Sequence, residues 1–230
     1  MQVYLPMFHS KTIKTEFHCH TCYGRDSLIK IQDLVIACEK KGIQKLVITD
    51  HNMISGALQA QKLDPYRFII GEEIMTQQGE LLGIFIKEKI PASLPALKTI
   101  ELLRSQGAFI SVSHPFDAFR RGHWEIDDLL NIVSFIDAIE VFNSRCLLPQ
   151  FNTRARVFSQ HSKLLGTVGS DAHSIGEVGK ATLTLPDFDD APSLKHALAL
   201  AQPHVHLSGP WVHFSSRYSS WRKRSTPIVP

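Results

Sequence analysis

No apolar run in this chain is long enough to span a bilayer. The opening stretch, MQVYLPMFHSKTIK, holds too short an apolar segment for a secretory leader, so a cytoplasmic protein is expected. Cysteine is scarce, with four in 230 residues. Cys19, Cys22, Cys38 and Cys146 do not resemble a disulfide framework and suit a reducing compartment. Cys19 and Cys22 form one CxxC, but no second pair completes a structural zinc site. Neighbours on a strand face opposite ways, so Cys19 should point into packing, away from the residues beside it. Neither GxGxxG nor GxxxxGK[ST] occurs, which argues against the common nucleotide-binding loops. GxSxG is missing too, which removes the serine nucleophile elbow. Neither sign of charge dominates: the net charge is +3, so the whole molecule is no magnet for polyanions. Basic residues gather only in SSRYSSWRKRS near the end, expected to be a solvated final helix, with contact to phosphate or an acidic surface as the alternative.

What is present supports a folded domain. The composition is 43% hydrophobic and 20% charged, enough for a buried core. Segments of apolar residues at helical spacing alternate with short apolar runs that lack a strict in/out pattern. That alternation favours a parallel sheet covered by helices, with seven or eight strands. A closed or nearly closed β/α barrel is the first expectation and an open doubly wound sheet the second. No repeat or linker splits the chain, so one large domain over residues 1–202 and a basic, helical tail over 203–230 packed on it are expected.

Histidine is the unusual residue, with twelve in the chain. Polar clusters follow the expected strands: His18 and His20; Asp50 and His51; Glu72 and Glu73; His114; Asn143; Asp171 and His173. In β/α barrels the loops leaving the carboxyl ends of the strands converge on one face, which carries the active site. Residues i and i+2 of a strand share a face, so His18 and His20 can aim at one point. Neutral imidazoles and ionised carboxylates converging there suit zinc, iron or manganese. Unpaired burial of so many polar groups would be costly, which speaks against a packing role. Two such ions about 3.5–4 Å apart would clamp a displacement at phosphorus.

HCHTCYGRDS, ITDHN, GEE, SHPFD, IEVFN and GSDAH, in this order over residues 16 to 180, resemble the motifs of the PHP domain, the polymerase and histidinol phosphatase superfamily of metal-dependent phosphoesterases. The resemblance implies a distorted (β/α)7 barrel. It implies His18, His20, Asp26, His51, Glu73, His114, Asp171 and His173 as metal ligands, for two or three divalent ions of manganese, iron or zinc. One ion would take His18, His20, Glu73 and Asp171; a second Glu73 and His114; a third Asp26, His51 and His173. Asp50 is a candidate for orienting an imidazole, and Glu72 a neighbour outside the ligand set. The chain departs from the family at Glu80, where many three-metal members have histidine; Glu80 either ligates or faces solvent. The implied reaction is hydrolysis of a small phosphate ester, a nucleotide or a sugar or amino-alcohol phosphate, with Asp171 or His173 relaying a proton. Arg120, Arg121, His123 and Asn143 are candidate substrate contacts, because guanidinium groups match phosphate geometry. An amidohydrolase-type enzyme and a nuclease acting on oligonucleotide ends remain as alternatives; no membrane partner is expected.

Overall fold

The computed structural model describes residues 11–225. Nine strands form a single sheet in the order β7-β6-β5-β4-β3-β2-β1-β8-β9. In chain order they are β1 (Thr12–Cys19), β2 (Lys45–Ile48), β3 (Phe68–Met75), β4 (Glu80–Ile84), β5 (Phe109–Val112), β6 (Ala138–Asn143), β7 (Leu165–Gly169), β8 (Ala181–Pro186) and β9 (Gln202–Val205). The helices are α1 (Ile31–Lys41), α2 (Ser55–Leu63), α3 (Ala96–Ser105), α4 (Ile126–Ile132), α5 (Pro149–Ser162), α6 (Ala191–Leu198) and α7 (Val212–Ser225). Local chemistry explains their ends. Gly42 takes φ 65° just past α1, a left-handed stop that glycine adopts at no steric cost. Asp190 and Ser193 form a reciprocal capping box at the start of α6.

β1, β2 and β3 run parallel, as do β5, β6 and β7. β4 is antiparallel to both its neighbours, which is the distortion within the barrel. The sheet curls until its first and seventh strands meet. Cys19 and Ala172 form a parallel bridge, the Asp171 amide donates to the His18 carbonyl (2.8 Å), and the His20 amide donates to the Ala172 carbonyl (2.9 Å). The result is a nearly closed barrel, with β8 attached antiparallel to β1 and β9 antiparallel to β8. The sheet runs on through Val205, and the helical part of the tail begins at Val212. Among the described residues no helix is long and apolar enough to cross a membrane.

Two apolar layers hold this shape. One lies between sheet and helices, with Cys19, Leu34, Ile48, Ile74, Leu81, Leu103 and Ile139 among its buried members. The other fills the barrel and its lower mouth, where Phe17, Val47, Ile69, Phe109 and Val168 pack with Leu194 and Leu198 of α6. An irregularity in β1 between Glu16 and Cys19 sets how the site begins. Phe17 turns into the barrel layer and Cys19 into the outer one, while His18 between them faces inward to Glu73 and Glu140. A bulge that breaks strict alternation lets two consecutive side chains point inward.

Glu16, beside this bulge, is fully buried and its Oε2 accepts from the Gly179 amide (2.6 Å). Burial pushes its carboxyl up to about 7, against the Ser170 and Gly179 hydrogen bonds that pull it down. The folded state therefore holds a proton that the unfolded chain releases near 4.5. The stability from that proton is fully present below pH 4.5 and is lost as pH rises through about 7. Glu16→Gln keeps an acceptor for Gly179 and removes the titration. Urea unfolding should show the variant gaining on the parent by about 1–3 kcal/mol between pH 5 and pH 8; a constant difference across that range would refute the assignment.

Candidate metal centre

Glu73 is the hub of the upper mouth. Its Oε2 lies 3.2 Å from His18 Nε2, 3.4 Å from His20 Nε2 and 3.1 Å from His51 Nδ1. Its Oε1 lies 3.0 Å from His114 Nε2 and accepts from the Ser113 hydroxyl at 2.7 Å. The adjacent Glu72 points the other way, where its carboxylate accepts from the Ile90 amide, as strand alternation requires. Asp171 Oδ1 stands 3.7 Å from His18 Nε2 and 3.3 Å from His20 Nε2. Asp26 Oδ2 stands 3.3 Å from His51 Nε2 and 3.1 Å from His173 Nε2. Three donor sets therefore overlap: His20, Asp26, His51 and His173; His18, His20 and Glu73; and His51, Glu73 and Glu80. All eight residues that the sequence motifs single out as ligands converge on this mouth.

The sets differ from the expected partition in two ways. His20 stands between the first and third groups, its ring 4.2 Å from that of His173 and 4.7 Å from that of His51. Glu80 is buried and turns inward, with Oε1 3.3 Å from His51 Nδ1 and Oε2 3.5 Å from His114 Nε2. Of the two placements open to it, the structure shows the inward one. The cause is topological: β4 is antiparallel, so its first residue lies at the same mouth as the last residues of the parallel strands.

The donor chemistry fits divalent cations. His18 Nδ1 donates to Glu140 Oε1 (3.0 Å), so Nε2 is the nitrogen aimed at Glu73 and Asp171. Glu73 Oε2 and Asp171 Oδ1 are buried and accept no hydrogen bond. Lone pairs converging on a buried point repel one another unless a proton or a cation lies among them. The titration directions carry the same message. Against burial, His18 and His51 hold the Glu73 carboxyl well below its usual range, and Arg120 and His18 do so for Asp171. Burial drives His20 down to about 3, so its ring is neutral and free to donate a lone pair. Burial would lower His18 and His51 as well, but Glu73 above all lifts both well above the ordinary imidazole value. A divalent ion entering among these groups takes the place of those protons.

The remaining candidates separate. Arg120 reaches the centre, Nη2 lying 2.6 Å from Asp171 Oδ2 and Nε 3.3 Å from Asp117. Arg121 is exposed, and His123 bonds the Arg120 carbonyl (2.6 Å) and lies 3.6 Å from Glu125, while Gly122 between them accepts from the Glu80 amide (3.0 Å). Asn143 spends its amide on carboxylates, donating to Glu140 Oε2 (3.0 Å) and Asp171 Oδ2 (3.2 Å). Asp50 orients no imidazole; it accepts from the Thr21 amide and hydroxyl, both at 2.6 Å, and so anchors the turn that leads to Asp26. Cys19 is buried in the outer apolar layer, away from the donors, and the four cysteines are free thiols.

Two residues of the centre carry no role in the sequence reading. Glu140 holds His18 with one oxygen and accepts from the His114 amide (2.9 Å) with the other. Its signal was a lone carboxylate inside the apolar run AIEVF. Arg145 contacts His173 Nδ1, lies 3.3 Å from Glu177, and donates to the Val212 carbonyl (2.9 Å) and the Ser216 hydroxyl (2.8 Å) of α7. The backbone is unusual at three site positions: φ is 22° at His114, 52° at Asp171 and 52° at Asn52.

Comparison with known proteins places this architecture. Residues 149–199 match the family model described as PHP-associated. An uncharacterized protein of Methanocaldococcus jannaschii is 34% identical over 181 residues, 77% of this chain and 72% of its own length. A two-domain protein of Bacteroides vulgatus, described as "containing predicted PHP-like metal-dependent phosphoesterase", superposes with a TM-score of 0.66 at 16% identity, covering 91% of this chain and 70% of the other. An amidohydrolase of Chromobacterium violaceum, with sulfate bound and no metal, superposes with a TM-score of 0.57 at 13% identity over 71% of this chain and 88% of the other.

Glu140 is the sharpest test of how the donors are held. A carboxylate on the far nitrogen of a ligating imidazole fixes its tautomer and raises its basicity. Glu140→Ala should weaken divalent-ion affinity about 10–100-fold, measured by competition with a chromophoric chelator. An unchanged affinity would remove Glu140 from the centre.

Proposed function

From the PHP-associated match over residues 149–199 and the fold shared with a PHP-like protein, we propose that the chain belongs to the PHP superfamily and is a metal-dependent phosphoesterase, hydrolysing a phosphate monoester or diester at the upper mouth of the barrel. The observation that carries this reading is the overlap of donor sets on Glu73, with a guanidinium, Arg120, at their edge. We assign two divalent ions, of manganese, iron or zinc, to His18, His20, Glu73 and Asp171, and to His51, Glu73, Glu80 and His114. When bound, such ions activate water near neutral pH and neutralise phosphoryl oxygens.

The chain's own residues divide the rest of the work. Glu140 orients His18, and Asn143 orients Asp171. Arg120 leaves the Asp171 carboxylate to grip a phosphoryl oxygen, a pairing that guanidinium geometry favours. Asp171 is fully buried and already accepts from Asn143, so it stays a carboxylate. The leaving-group proton falls to His173, whose Nε2 faces the partly exposed Asp26 at the open side of the mouth.

Dialysis against a chelator should abolish release of phosphate from p-nitrophenyl phosphate, and added manganese should restore it. Glu73→Gln should lower both metal content and turnover by at least about 10²-fold. A parent enzyme that is inert on a phosphate-ester panel but opens cyclic amides would replace this reading with an amidohydrolase.

The two arginines give an internal contrast. Arg120→Ala should cost about 10²–10³-fold in kcat/KM on a phosphate ester. Arg121→Ala should stay within about 2-fold, as for an exposed side chain. Equal effects from both would break the assignment of Arg120 to substrate.

A further inference from the structure

The outer side of α7 is the surface that the fold does not explain. Trp211, Phe214, Tyr218 and Trp221 follow one another at intervals of three, four and three residues, which places them in one stripe along the helix. Their exposures are 78%, 64%, 55% and 63%, so the stripe faces water. A surface helix ordinarily turns its apolar stripe to the core. Here the inward side is built instead from Ser219, which is buried, and from partly buried Val212, Ser216 and Lys223. That side is fastened by Lys223 Nζ donating to the Cys22 and Gly24 carbonyls (2.6 and 2.5 Å), and by Arg145 donating to Val212 and Ser216.

The aromatic residues pair along the stripe. Ring centroids are 5.7 Å apart for Trp211 and Phe214, and 6.0 Å apart for Tyr218 and Trp221. Arg217 and Arg222, both exposed, flank the stripe on either side. Its far end leads to the centre: Asp26, Ser216, Arg217, Ser220 and Trp221 line one open cavity of about 480 Å³. Asp26 belongs to the donor sets, so this cavity joins the stripe to the mouth of the barrel. The volume is of the size that takes a small organic ligand such as one nucleotide.

We propose that the outer face of α7 binds a single-stranded oligonucleotide and leads its end through the Asp26 cavity to the metal centre. The proposal rests on the phosphoesterase reading for the chemistry at the end of that path, and names its substrate class. Two observations favour this occupant. Aromatic faces interleaved with cations are the pairing that single strands use, bases stacking on rings while phosphates meet guanidinium groups. From Trp211 to Trp221 the helix rises about 15 Å, room for roughly two or three bases. A bilayer fits the arrangement less well. An interfacial helix keeps its cations on the face opposite its apolar residues, and here the opposite face is packed on the protein.

The test is fluorescence anisotropy with a fluorescein-labelled decathymidylate at 50 mM salt, using the full chain loaded with manganese and hydrolysis-resistant phosphorothioate linkages to suppress turnover. The parent should bind, and the dissociation constant should rise roughly 5–100-fold in Tyr218→Ala and in Trp221→Ala, while Trp221→Phe retains most of the affinity. Arg217→Ala and Arg222→Ala should each lower the slope of log affinity against log salt by about one. Melting temperatures establish that the variants fold, and Trp211→Ala, remote from the cavity, supplies a variant whose loss of affinity owes nothing to the mouth. Absence of binding by the parent, or alanine variants that bind as tightly, would overturn the proposal. So would a parent that prefers phosphatidylserine vesicles, or one that dimerises through this stripe and becomes monomeric in the variants. Turnover of p-nitrophenyl phosphate by the parent reads the other claim separately. Oligonucleotide binding without that turnover would sink the phosphoesterase reading alone, and turnover without oligonucleotide binding would sink this one alone.

Discussion

Two backbone hydrogen bonds, from the Asp171 amide to the His18 carbonyl and from the His20 amide to the Ala172 carbonyl, bring the end of the chain's seventh strand against its first. The site depends on that seam. His18 and His20 come from the end of β1, and Asp171 and His173 from the segment after β7. Without the seam Asp171 would lose its imidazole neighbours His18 and His20, although Glu73 would keep His51 and His114. With it, acids and bases alternate around one buried point, and Glu73 from the opposite wall completes the ring. Burial of these charges is expensive by itself, and the fold tolerates it because each donor has a partner of the other kind within about the distance of one coordination sphere.

Much of this was legible in the residues. Period-two spacing put His18 and His20 on one face, and the repeated fall of histidine and acid after apolar runs marked one rim of a barrel. The stop of α1 was signalled by Gly42. The parts that stayed hidden share a physical reason: they depend on strand direction or on pairing at long range. Nothing in GELLGIF announces that β4 runs against its neighbours, and without that fact Glu80 has no preferred side. β9 is a short, exposed edge strand containing Pro203, a residue that weakens any strand reading. Asp50 beside His51 looked like an orienting carboxylate, but the Thr21 amide and hydroxyl, brought from 29 residues away, claim it first.

Arg145 shows how a residue without a motif can tie distant parts together. It lies between β6 and α5 in sequence, yet it touches His173 at the centre, Glu177 below it, and the first turn of α7 above. The terminal helix is therefore mechanically continuous with the donor His173 and is no loose appendage. Asp50 plays the matching part on the other side of the mouth, holding the turn whose carbonyls at Cys22 and Gly24 receive Lys223.

The positive φ angles at His114 and Asp171 have a practical reach for anyone dissecting the centre. In that region of backbone space asparagine, aspartate and glycine are tolerated, whereas most side chains with a Cβ are strained and β-branched ones strongly so. A substitution to alanine, valine or threonine at either place alters the main chain as well as the chemistry, and its phenotype mixes the two. Asparagine at 171 changes the charge while leaving the loop at rest; at 114 it removes the imidazole on the same terms. Alanine scanning, the default instrument elsewhere in the barrel, is the wrong ruler at these two positions.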